Sequence, residues 1–117
     1  MEAEDRFARQ IKKGILEMLV LELLSRSPGY GYALLTRLAQ APGGSLQIKE
    51  GTLYPILYRL EEEGLLRSDW QTGPGRAAPK KIYTITPQGI QRLGEEQRLW
   101  KQFLGDVQYI ENWEDVQ

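Results

Sequence analysis

Two absences set the chemistry open to this chain: it contains no Cys and no His. Disulfides, thiolate nucleophiles, Ser-His and Cys-His catalysis, and zinc or haem sites built on His or Cys are excluded together. Carboxylates, Lys, Tyr and Ser remain. The densest carboxylate cluster is Glu61, Glu62 and Glu63. Consecutive residues on a helix point in different directions, so this run reads as a solvated outer face rather than an acid–base pair. No glycine-rich phosphate loop follows a strand. The residues therefore name no catalytic group, metal site or cofactor, and an enzyme is the weakest class. The cations are more informative. Between positions 65 and 86, Arg67, Arg76, Lys80 and Lys81 oppose only Asp69. Residues 1–92 hold 13 Lys and Arg against 10 Asp and Glu, and residues 93–117 hold 2 against 6. The net charge of −1 thus conceals a basic body and an acidic tail, and a local basic surface is what nucleic acid requires.

The elements that position these residues follow from length and periodicity. At 117 residues the chain suits one compact domain with one appended element. No apolar run approaches the ~20 residues of a membrane span, and MEAEDRFARQIKKG lacks the apolar stretch of a secretory signal, so a cytoplasmic protein is expected. Ile15, Leu16, Leu19, Val20, Leu23 and Leu24 recur with helical spacing and form one apolar face. Phe7, Ile11, Gly14, Met18 and Leu21 form a second stripe opposite it, which predicts two neighbours for the first helix. SRSPG ends that helix, a second runs from about Tyr30 to Ala39, and APGGS breaks the pattern. In KEGTLYPILYRLEEEGLL, Leu53, Ile56, Leu57 and Leu60 share one face. Pro55 belongs in a first turn and so places the start of this third helix near Gly51, and Gly64 stops it. LLRSDW and KKIYTIT read as two strands joined by the Gly- and Pro-rich loop QTGPGRAAP.

From Thr86-Pro87 to about Trp113 the chain turns helical again, with Thr86 as N-cap. Ile90, Leu93, Gln97, Trp100, Leu104 and Val107 are spaced as a coiled-coil seam with one polar interruption. So long a stripe requires a second chain, and the second stripe of the first helix is its complement. An intertwined homodimer is expected, with Phe7, Ile11, Met18, Leu21, Leu93, Trp100, Leu104 and Val107 at its interface. The fold class is α+β, mostly α: three helices and a two-stranded β-wing over residues 1–86, then a dimerisation helix and acidic tail over 87–117.

These residues resemble the PadR-like family of bacterial transcriptional regulators. The likeness runs through Gly14-Ile15-Leu16-Glu17, Tyr30-Gly31-Tyr32, Gly51-Thr52-Leu53-Tyr54-Pro55-Ile56-Leu57-Tyr58-Arg59-Leu60-Glu61, Gly64-Leu65, Tyr83, Thr86 and Gly89, over roughly residues 12–104. The TLYPILYRLE stretch is its specific part. The resemblance implies a winged-helix DNA-binding domain, a single C-terminal dimerisation helix, and repression relieved by a small aromatic or drug-like effector. It departs at the wing, where the family's compact basic run is split around Pro79.

In that picture the third helix enters the major groove of double-stranded DNA. Lys49, Thr52, Tyr54, Tyr58 and Arg59 are the expected contacts, with Arg76, Lys80 and Lys81 of the wing on phosphates. The competing reading for Tyr54 and Tyr58 is packing against the first helix or the wing, and for Arg59 an ion pair with Glu62 or Glu63. Lys and Arg on the wing also serve simple solubility. The resemblance further implies Trp100 as a stacking platform for a flat ligand at the dimer interface, with Ile11, Gly14, Met18 and Phe103 as walls. Glu17 or Glu96 would then favour a cation, and filling of the dimer core is the other role open to Trp100. A dimeric repressor on an inverted-repeat operator is the leading expectation. A winged-helix module that binds proteins and has no operator of its own is the alternative.

Overall fold

A computed structural model of the chain describes residues 2–73, 75 and 78–114, and of residues 2–5 the backbone only. Its order is α1 (Glu2–Arg26), α2 (Gly31–Ala39), α3 (Glu50–Glu62), β1 (Leu66–Gln71), β2 (Lys80–Ile85) and α4 (Pro87–Glu111). The α2–turn–α3 pair packs beside an antiparallel β1–β2 hairpin, in which Leu66 faces Ile85 and Gln71 faces Lys80. This is a winged helix-turn-helix with a long C-terminal helix.

The core gathers where the apolar faces converge. Leu16, Val20, Leu21 and Leu24 of α1 meet Leu34 of α2, the Leu53, Ile56, Leu57 and Leu60 face of α3, Leu65, Leu66 and Tyr83 of the hairpin, and Leu93 of α4. Burying each such aliphatic side chain contributes about 1.5–3 kcal/mol. The chain entering α2 is tied to the hairpin. Gly29 N–H donates to the Tyr83 carbonyl at 3.1 Å, and Tyr83 N–H returns a bond to the Gly29 carbonyl at 2.8 Å.

Local signals end the helices as expected. Gly64 adopts φ +79°, and Leu65 N–H reaches back to the Leu60 carbonyl at 2.9 Å. The Thr86 hydroxyl accepts from Gly89 N–H at 3.0 Å and donates to the Gly64 carbonyl at 2.7 Å, with Pro87 in the first turn of α4. α3 starts at Glu50, so Pro55 lies in its second turn rather than its first. Its missing donor leaves the carbonyl of Gly51, four residues back, to solvent.

Two residues expected at a dimer interface are interior to the protomer. Leu21 is 0% exposed and Leu93 is 6% exposed. α1 is gripped by both β2 and α4 of its own chain, and this wider contact takes Leu21 into the core. Gln97, the polar step of the seam, donates to Glu22 of α1 in the same chain. Beyond it α4 leaves the body: Trp100, Phe103, Leu104, Val107 and Ile110 are all exposed, as are Phe7 and Ile11 of α1. The described chain is 70 Å long and 22 Å thin. No described helix is long and apolar enough to cross a membrane.

Candidate functional site

α3 separates two grooves, and the expected DNA contacts divide between them. The wing-side groove, about 410 Å³, is lined by Tyr30, Gly31 and Tyr32 at the start of α2, Tyr54 and Tyr58 of α3, and Trp70, Pro79, Lys80, Lys81 and Tyr83 of the hairpin. Lys80 Nζ stands 4.4 Å from the centre of the Tyr30 ring. Lys81 Nζ lies 5.4 Å from the Tyr58 and Tyr83 rings and 3.6 Å from Glu61 Oε1. Burial disfavours the Lys81 charge, but the Tyr83 phenol and the Glu61 carboxylate outweigh it and hold the pKa above the ordinary lysine value. Burial raises the pKa of the Tyr83 phenol, and the Lys81 charge beside it partly offsets the rise. This surface presents two cations and several aromatic hydroxyls, the donor set that meets phosphate and sugar.

The positions of the expected contacts differ. Tyr58 is exposed on this groove. Tyr54 is half-buried and stands over Gly31, where even a methyl group would meet its ring at 2.7 Å, so its body packs α3 on α2. Lys49 and Thr52 are exposed at the start of α3 and face the other groove. Arg59 also lines that second groove, and its Nη2 donates to Glu17 Oε2 of α1 at 2.8 Å. Its partner is thus neither Glu62 nor Glu63. Glu63 instead accepts from Arg92 of α4, and Glu61 from Ser68. Arg76 lies outside the described residues.

The second groove, about 570 Å³, runs between the first half of α1 and the first half of α3. Arg9, Lys12 and Lys13 line it opposite Lys49 and Arg59, and among the described residues no acidic side chain lines it. The α1 cations lie outside the contacts that the sequence predicts. Their signal is RFARQIKK, four cations and no carboxylate from position 6 to 13.

A third recess, about 250 Å³, brings Gly14 and Met18 of α1 against Trp100 and Phe103 of α4 within one chain. Ile11 is exposed one turn away and does not line it. Glu17 and Glu96 both line the recess. Burial raises the Glu96 pKa and the Glu17 charge raises it further, while one Glu96 carboxylate oxygen is enclosed without a hydrogen-bond partner.

A three-helix core with a basic hairpin and a projecting helix is the architecture of a winged helix-turn-helix protein. The model of the PadR-like family of transcriptional regulators matches residues 20–95. A transcriptional regulator of Mycobacterium tuberculosis is 29% identical over 85% of this chain and 88% of its own length. The crystal structure of a PadR family regulator from Eggerthella lenta superposes with a TM-score of 0.84 at 34% identity, covering 97% of this chain and 96% of that one. A PadR-like regulator from Bacillus cereus gives 0.77 at 30% identity, over 90% and 99%. The chain belongs to the PadR-like family. It is a DNA-binding transcriptional regulator, a role that involves no catalysis.

Proposed function

We propose that the chain acts as a homodimeric repressor that reads an inverted-repeat operator through α3 and the wing. The observation that carries the reading is the apolar stripe of Trp100, Phe103, Leu104, Val107 and Ile110, which α4 extends beyond its own protomer. A helix with so much exposed apolar surface calls for a second chain. Two-fold pairing would present two α3 helices to successive major grooves, with half-sites about 34 Å apart. Lys49 and Thr52 would meet base edges and phosphate at the start of α3, while Tyr58, Lys80 and Lys81 would hold the flanking backbone.

The recess between α1 and α4 supports an effector site for a flat cation. Trp100 and Phe103 supply stacking surface and the Glu17–Glu96 pair supplies negative charge. Glu17 also holds Arg59 on α3, so a cation seated beside Glu17 competes with that pair. This gives the ligand a differential interaction with two positions of α3, without which no ligand shifts an equilibrium.

Footprinting on DNA upstream of the protein's own gene tests the reading. Two protected patches one helical turn apart support it. A single patch, or uniform protection at every sequence, refutes it.

A further inference from the structure

The groove between α1 and α3 carries charge that the proposed contacts of α3 and the wing do not use. Arg9, Lys12 and Lys13 lie three and four residues apart, on one face of α1. They look across at Lys49, which occupies the N-cap of α3 without capping it by its side chain. The Lys49 carbonyl accepts the Thr52 and Leu53 N–H groups at 3.0 and 3.1 Å, and the positive end of the helix lies beside the groove, with Glu50 in its first turn. Among the described residues none of these four cations pairs with a carboxylate.

We propose that this groove is a second DNA-backbone site, in which Arg9, Lys12 and Lys13 of α1 bind phosphodiester groups next to the recognition helix. The inference rests on the operator reading above and widens its footprint. Arg9 and Lys13 are about 6 Å apart along the helix axis, so each can meet a different phosphate of one backbone. The two sides of α3 would then divide the work. The wing side holds backbone through aromatic hydroxyls and two lysines, whereas the α1 side acts through charge alone. The acidic tail of a second copy of this chain is the rival occupant, and the groove's continuity with Lys49 and Thr52 favours DNA.

The test uses the full chain with R9Q, K12Q and K13Q combined, and a charge-conserving counterpart R9K, K12R and K13R. Binding to labelled upstream DNA and to a random duplex is followed by fluorescence anisotropy across a salt series. Each phosphate contact contributes about 0.9 to the slope of log K against log salt, so six lost contacts in a dimer flatten it by up to about 5. Flattening by about 2 or more, equally on both duplexes, with dimer mass unchanged and the slope restored in the charge-conserving variant, supports the site. A smaller change overturns it, as does loss of the dimer, which would assign the groove to the partner's tail. A wild-type protein with no salt-dependent DNA affinity refutes the operator reading itself, and the second site with it.

Discussion

Replacing Gly89 by alanine tests how α4 is anchored to the winged-helix body. Gly89 is the third residue of α4, and an added Cβ would fall inside contact distance of the Leu65 carbonyl oxygen and 2.6 Å from Ile85 Cγ1. The carbonyl cannot retreat cheaply, because it accepts the Thr86 N–H at 3.0 Å where the chain turns from hairpin to helix. Overpacking against fixed backbone costs about 3 kcal/mol. Alanine's better helix propensity returns about 1 kcal/mol. The net loss of about 2 kcal/mol lowers the melting temperature by roughly 6–10 °C for a domain of this size. Gly94 is the internal control: it lies in the same helix, is exposed and has nothing within 4 Å of an added Cβ. Gly94→Ala should therefore gain up to about 1 kcal/mol. Circular dichroism melts at one fixed protein concentration read both variants, since dimerisation makes the midpoint depend on concentration. A Gly89→Ala protein as stable as Gly94→Ala would refute the close packing of α4 on the start of β1.

Three further outcomes follow from the geometry. Glu96→Gln removes a carboxyl whose folded-state pKa is raised by burial and by Glu17. A raised acid stabilises the folded state when protonated, so the wild type gains stability as pH falls towards the ordinary glutamate range and loses it on the way up. The variant should melt higher at neutral pH, with a flatter pH profile, and identical profiles would contradict the assignment. Leu104→Glu places a charge on the exposed stripe of α4. It should convert a dimer to a monomer in sedimentation velocity while changing the helical signal little, and an unchanged mass would count against the proposed interface. Lys80→Ala removes an exposed cation from the wing-side groove. It should flatten the salt slope by about 0.9 per protomer and shift stability by no more than about 0.5 kcal/mol.

What the sequence made legible is mostly local. The Leu53, Ile56, Leu57 and Leu60 face of α3 is read from helical periodicity, and all four are buried. Gly64 and Thr86-Pro87 mark helix ends because the stop and the cap are each made by a few adjacent residues. What stayed hidden depends on neighbours distant in sequence. A helical wheel sorts the residues of α1 into faces but does not say how much of its circumference the rest of the chain covers. Leu21 therefore reads as part of a partner-facing stripe and lies in the core. Leu93 fits a coiled-coil seam equally well whether it meets its own protomer or a partner, and here its own protomer takes it. That Tyr54 packs over Gly31, and that Arg59 pairs with Glu17, 42 residues away, are contacts no local pattern announces. The α1 groove was invisible for the same reason: RFARQIKK is an ordinary amphipathic stretch until the fold sets it opposite Lys49.

The most direct test of DNA reading by a dimer is an anisotropy titration of the wild-type chain. It compares labelled duplex from upstream of its own gene with a scrambled duplex of equal length, at low and at physiological salt. Tighter binding to the upstream duplex, with a stoichiometry of two chains per site and a steep loss of affinity as salt rises, is the expected result. Equal, weak binding to both duplexes, or a complex of one chain per site, would contradict it.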